Sequence, residues 1–319
     1  MIEYTSFMKP MINDFIKYQT ASQHWSEVSY GRNLKTFENY CLKNHSDSNI
    51  LTQEMIDGWC SQRNSEKNNS YISRINVIRT FLKYTNSRGL TDLQIPALPK
   101  KDKRKYIPHS FSKDELSNFF KACDNIESKR KSKTSLSKKK TIPVFYRLLY
   151  SSGMRTIEAR VLKRENVNLI DGVINIEQSK GYDQHYVALH NSMKEIMIKY
   201  DAEIDKLYPN RKYFFPARND GHHTKAWVTD NFRELWKKYN NSYAVPYDLR
   251  HNYAITNINK WTNQGVNFTD NLYYLSKSMG HTTIESTKYY YSLVPAISNI
   301  IETQIGTNFD CLIPEVIET

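Results

Sequence analysis

The sequence predicts a two-domain protein: an all-α N-terminal domain, then a mixed, mainly α domain with a small antiparallel β-sheet. Three observations predict it. Apolar residues recur at helix spacing through the first third of the chain. A stretch rich in proline, lysine and arginine then breaks the pattern. Beyond it, helical periodicity resumes and is interrupted by two short β-branched runs around a turn. The boundaries that follow are 1–93 for the helical domain, 94–111 for a basic linker, and 112–319 for the second domain with its tail.

In "SYGRNLKTFENYCLKN", Tyr30, Leu34, Phe37 and Cys41 share one helix face, with Arg32 and Lys35 among the polar positions. In "NNSYISRINVIRTFLKYTNSRGL", the stripe is Ile72, Ile75, Ile78, Phe81 and Leu82, with Arg74 and Arg79 placed on the surface and Gly89 as C-cap. The linker "LQIPALPKKDKRKYIPHSF" holds three prolines and a basic burst that includes Lys103 and Arg104. No regular element fits there, and the charge suits a strap along a phosphate backbone.

Ser112, with Glu115 three residues on, forms a capping box that opens a helix running to about Cys123. The run "SKRKSKTSLSKKK" reads as a mobile loop. The segment "PVFYRLLYSSGMRTIEARVLKRENV" is helical. Val173, Ile174 and Ile176, then Tyr186, Val187 and Leu189, make two strands around "SKGYD". From "HTKAWVTDNFRELWKKY" onward the chain is mostly helical, with Trp227 and Trp236 in the core.

Composition narrows the function. Lysine and arginine number 45 against 33 acids, a formal charge of +12. That excess favours a polyanionic partner, and nucleic acid is the commonest one. No apolar run reaches the ~18 residues of a membrane span, and no signal peptide is evident, which points to the cytoplasm. The four cysteines, Cys41, Cys60, Cys123 and Cys311, are scattered and lack metal-ligand spacing. Adjacent His222 and His223, without a third ligand, read as solvent-exposed residues rather than a metal site, so no metal and no cofactor are expected.

Four separated stretches carry the chemistry: "SSGMRTIEARVL" with Arg155 and Glu158; Lys180, before the hairpin glycine Gly181; "PYDLRHNYA" with Tyr247 and Arg250; and "MGHTTIESTKYYY" with Gly280, His281 and three tyrosines. Two arginines supply permanently charged, planar forks that match phosphate oxygens. His281 adds a donor, Lys180 a proton source, and a tyrosine a nucleophile. Glu158, one helical turn from Arg155, suits orienting that arginine. Cutting a phosphodiester without a metal calls for this set. His251, directly after Arg250, reads as a buttress.

The ordered set resembles the tyrosine recombinase, or phage integrase, family, whose pattern is an Arg in a "TGLRxxE"-like turn, a hairpin Lys, HxxR, LGH, and a Tyr nine residues after that His. Matched position by position, the resemblance implies Arg155 with Glu158, Lys180, Arg250, His281, and Tyr290 as nucleophile. Successive helical residues are ~100° apart, so only one of the three adjacent tyrosines faces a phosphate. Tyr247 departs from the family, standing where HxxR has its first His; its hydroxyl still donates, but a phenol with a pKa near ~10 is a poor base.

The resemblance further implies a SAM-like core-binding domain at the N-terminus, a tyrosine recombinase catalytic domain, and a 3′-phosphotyrosyl intermediate. It also implies double-stranded DNA with inverted-repeat core sites, a homotetramer working through a Holliday junction, accessory or partner recombinases, and association with the nucleoid. The tail after Tyr291 is expected to dock on a neighbouring protomer, and no arm-site domain is expected ahead of the first helices. Arg32, Lys35, Arg74, Arg79, Lys103 and Arg104 are the candidate DNA contacts outside the catalytic set. Two alternatives stay open from sequence: a type IB topoisomerase-like relaxase, and a DNA-binding protein whose catalysis has decayed.

Overall fold

The computed structural model describes residues 2–100, 107–127, 132–177, 184–262, 268–281, 283, 286, 287 and 290. The chain divides into two compact units, Met1–Tyr106 and Ile107–Thr319. Among the described residues no helix is long and apolar enough to cross a membrane.

The first unit is built from α1 (Lys9–Ala21), α2 (Arg32–Asn44), α3 (Gln53–Cys60) and α4 (Asn68–Ser87), with one π-helical turn, Glu27–Gly31, ahead of α2. Its core joins Phe15 of α1, Leu34 and Phe37 of α2, Met55 and Ile56 of α3, and Ile75, Ile78, Phe81 and Leu82 of α4. Each such side chain contributes about 1.5–3 kcal/mol by leaving water. Phe15 meets Phe81 edge-on, with centroids 5.4 Å apart, the geometry that ring quadrupoles favour. Gly89 follows α4 in the left-handed region at φ 67°, as a helix terminator should.

Two buried ionic groups organise this unit. Glu38 Oε1 accepts the backbone N–H groups of Thr5 and Ser6, each at 2.7 Å, while Lys35 donates to Oε2 at 2.7 Å. Burial would raise this carboxyl's pKa, but the hydrogen bonds from Lys35, Ser6 and Thr5 bring it below its usual value. The segment before α1 is thereby fastened to α2.

Arg74 corrects the sequence reading, which places it on the surface. It is only 4 % exposed. Its guanidinium grips Glu66 at 2.8 and 2.6 Å and also donates to the carbonyls of Trp59 and Ser61. Glu66 precedes α4 and folds back over it. Arg79 is half-buried and donates to the carbonyl of Pro96, and Arg32 is exposed. Lys103 and Arg104 lie outside the described residues.

The second unit comprises α5 (Lys113–Asp124), α6 (Lys133–Ser152), α7 (Thr156–Arg160), β1 (Val167–Asn168), β2 (Val173–Ile176), β3 (His185–Ala188), α8 (Asn191–Asp205), α9 (Lys225–Lys237), α10 (Asp248–Thr262) and α11 (Phe268–Ser278). The capping box forms: Ser112 Oγ accepts Glu115 N–H at 3.1 Å, and Glu115 Oε2 accepts Ser112 N–H at 2.9 Å. The sheet is antiparallel in the order β1-β2-β3, with Ile174 opposite Val187. Sequence missed β1, because two residues are too few to show alternation.

The lysine-rich run is a second correction. From Lys133 it is helical, not a loop, and continues through Pro143 as α6. Ser132 caps it by accepting Ser135 N–H at 3.2 Å, and lysine is a good helix former where its charge reaches water. α6 packs against α5, α8 and α10 within a core that includes Phe119, Phe145, Tyr146, Phe232 and Trp236. Tyr146 donates to the carbonyl of Val228 at 2.7 Å. Trp227 is half-buried and meets Phe145 edge-on.

Candidate active site

Three chain reversals build the site. α6 ends because Gly153 takes φ 65°, and a Cβ there would lie 2.3 Å from the Tyr253 ring on α10. Glycine alone meets both demands. The backbone then extends at Arg155 before α7 begins. Glu158, 3 % exposed, accepts the Arg155 backbone N–H at 2.7 Å and its Nη1 at 2.6 Å. One carboxylate thus fixes both the start of α7 and the direction of the guanidinium.

The second reversal opens α10. Buried Asp248 accepts Val245 N–H at 2.9 Å, which sets the first turn and points Arg250 inward. Arg250 is 1 % exposed. Its Nη1 donates to Gly153 O at 2.6 Å and its Nη2 to Met279 O at 2.7 Å. The third reversal follows α11, where Gly280 takes φ 62° and a Cβ would fall 2.4 Å from Cε1 of His185 on β3. Arg155 Nη2 donates to Gly280 O at 2.8 Å. Each arginine therefore ties its own segment to the turn carrying His281.

His281 completes the linkage. Its Nε2 lies 2.9 Å from Arg250 Nη2 and its Nδ1 2.6 Å from Thr287 Oγ1. Burial, then the charges of Arg250 and Arg155 and the nearby His185, push its pKa down to about 3. The ring is neutral at physiological pH. Burial first, then neighbouring Arg155, lowers the Arg250 pKa from its usual value. Tyr290 is 3 % exposed, within an apolar cluster of Ala254, Ile258, Leu272, Leu275 and Met279. Its ring lies nearly parallel to His281, with centroids 6.2 Å apart, and 5.4 Å from that of His251.

Arg155, Glu158, Arg250, His281 and Tyr290 thus come together from distant parts of the chain. Tyr247 is 40 % exposed, with its ring edge-on to His251 at 5.0 Å. Lys180, Tyr289, Tyr291 and the tail lie outside the described residues. Sequence reading passed over Thr287 and His185, since neither belongs to a pattern that announces a contact. His223 is buried rather than exposed, stacked on Trp227 at 3.7 Å, and burial pushes its pKa down to about 4. Among the described residues no group of three or more His, Cys, Asp or Glu is placed to hold a metal ion.

The phage integrase family model matches residues 109–296. A putative integrase/recombinase, y4rE, from Sinorhizobium fredii is 28 % identical over 235 residues, covering 70 % of this chain and 72 % of that protein. Tyrosine recombinase XerD of Rickettsia bellii is 23 % identical over 310 residues, covering 88 % of this chain and 93 % of that one. Among solved structures, XerH site-specific recombinase bound to its difH substrate aligns with TM-score 0.58 at 18 % identity, covering 82 % and 74 %. A lambda integrase dimer bound to a COC′ core site gives TM-score 0.57 at 16 % identity, covering 88 % and 94 %. The chain belongs to the phage integrase family. Within it, the chain is a tyrosine recombinase, an enzyme of site-specific DNA recombination.

Proposed function

We propose that this recombinase cuts and rejoins double-stranded DNA through a phosphotyrosyl intermediate on Tyr290. Arg155, Arg250 and His281 hold the scissile phosphate, and Lys180 protonates the leaving oxygen. The observation that carries the reading is the convergence of two guanidiniums and one neutral imidazole in a single hydrogen-bonded cluster, with the Tyr290 ring lying nearly parallel to that imidazole. Arg250 Nε adds a buried donor with no acceptor among the described residues, as suits a site awaiting an anion.

In the proposed step Tyr290 Oη bonds to phosphorus and passes its proton to water. The phosphorus–O5′ bond breaks, and the 5′ oxygen leaves with a proton from Lys180. The arginines neutralise charge on the non-bridging oxygens, the kind of stabilisation that usually dominates phosphoryl transfer. Tyr247 donates a further hydrogen bond to the phosphate. Glu158 acts through Arg155.

The helical first unit and the basic segment after it grip the duplex, through Arg32, Lys35, Arg79, Lys103 and Arg104. Support comes from the +12 charge and from the structural neighbours, XerH on its difH substrate and lambda integrase on a core site. The reading extends to inverted-repeat core sites, a homotetramer with accessory or partner recombinases, and strand exchange through a Holliday junction.

A nicked suicide substrate tests it. Wild-type protein should become covalently attached to the 3′ end, and Tyr290→Phe should bind DNA yet trap none. Tyr289→Phe and Tyr291→Phe should still trap. Trapping by Tyr290→Phe would overturn the assignment, and failure to exchange strands between two labelled sites would favour a relaxase.

A further inference from the structure

We infer that Thr287 is a positioning residue for the reaction, holding His281 in the Nδ1–H tautomer with its Nε2 lone pair toward Arg250. The inference rests on reading His281 as a group that faces the scissile phosphate.

The tautomer follows from donor counting. A guanidinium has N–H donors and no acceptor. Arg250 Nη2, 2.9 Å from His281 Nε2, therefore requires a lone pair on that nitrogen. A neutral ring with an unprotonated Nε2 carries its proton on Nδ1. There it points at Thr287 Oγ1, 2.6 Å away, and the hydroxyl accepts it. A ring protonated at both nitrogens would set one N–H against another, and the low pKa of about 3 agrees with its neutrality.

Thr287 is well placed to impose this state. It is 0 % exposed, so water cannot take over the acceptor role. It stands three residues before Tyr290 on the same short stretch, so one segment carries both the hydroxyl that orients the imidazole and the phenol that stacks near it. A shift of that segment would move both together. When a phosphate enters and takes Arg250, Thr287 keeps the ring plane fixed while Nε2, released by the guanidinium, takes up from water the proton it needs to donate to the phosphate. Losing the partner that orients an active-site imidazole costs about tenfold or more.

The test uses protein with 15N-labelled histidine and long-range 1H–15N spectra of the imidazole rings, with the His281 signals assigned by their absence in His281→Gln. DNA-free wild-type protein should show His281 as the Nδ1–H tautomer. Thr287→Val, close in shape but lacking the hydroxyl, should shift the His281 Nδ1–H signal from its hydrogen-bonded position and slow suicide-substrate cleavage at least about tenfold. Thr287→Ser should restore both. An Nε2–H tautomer in wild type, or an unchanged His281 spectrum in Thr287→Val, would overturn the inference whatever His281 does in catalysis. A changed spectrum with unchanged cleavage would overturn the positioning role. If His281→Gln cleaves at the wild-type rate, the reading of His281 as a phosphate-facing group fails and the positioning role goes with it, while the tautomer assignment stands.

Discussion

Arg250 Nη1 donates to the carbonyl of Gly153, 2.6 Å away and 97 residues earlier in the chain. A group assigned to the phosphate is therefore also a fastener between the turn after α6 and the turn before His281. Replacing it removes both functions.

Arg250→Ala should lower the cleavage rate by at least about 100-fold, the scale for losing one transition-state donor. It should also lower the melting temperature, because the carbonyls of Gly153 and Met279 lose their partner, at about 1–3 kcal/mol for a buried unsatisfied group. Arg155→Ala should be equally slow, with a further loss of order as Glu158 is left buried. Arg250→Lys should remain slow, since one ammonium cannot reproduce the fork. Denaturation curves beside cleavage rates separate the effects, and an unchanged melting temperature for Arg250→Ala would refute the fastening role.

Gly280→Ala should destabilise the second unit and abolish cleavage. The new methyl would meet the His185 ring at 2.4 Å, and φ 62° disfavours any side chain. Adding His185→Ala should recover only part of the lost stability, because it removes the clash and leaves the backbone strain. Full recovery in the double variant would show that the dihedral costs nothing.

Acid sensitivity follows from the buried histidines. The folded-state pKa values of His281 and His223 are depressed to about 3 and about 4, and that of His251 is also lowered, with burial the leading cause in each. The unfolded chain therefore binds more protons once pH drops below the free histidine value near ~6.5. Stability from these groups is present above that pH and is lost as pH falls toward the folded values. Unfolding monitored from pH 7.5 to 4.5 should show this loss, and His223→Gln should flatten the slope. In the DNA-free protein the His281 imidazole signals should not titrate between pH 6 and 8.

Tyr247→Phe should slow cleavage and Tyr247→His should be tolerated, if the 40 % exposed phenol donates to the phosphate. Single-turnover rates decide it. A wild-type rate for Tyr247→Phe would reduce the residue to a ring that packs against His251.

Local rules carried much of the architecture. Ser112 and Glu115 announce α5 because a capping box is written within four residues. The alternation of Ile174 and Ile176 announces β2 because one face is buried. What sequence hid were contacts made at a distance. Arg74 looks like a surface charge until Glu66 is folded over it, and lysines 138–140 look like loop until α6 is seen to run through them. In the site, the spacing of Arg155, Arg250, His281 and Tyr290 was legible as an ordered pattern. The Thr287 hydroxyl was not, since its value depends wholly on where the His281 ring comes to rest.

The lacing of both arginines to carbonyls at 279 and 280 bears on biosynthesis. A chain still being translated has exposed Arg155 and Arg250 long before Met279 and Gly280 emerge. Until then each guanidinium has its nearer partner, Glu158 for Arg155 and the Gly153 carbonyl for Arg250, but lacks the carbonyl that ties it to the His281 turn. The reactive constellation therefore cannot assemble before residues 279–290 are made, and a chain terminated before them carries the cationic residues without an assembled centre to cut with.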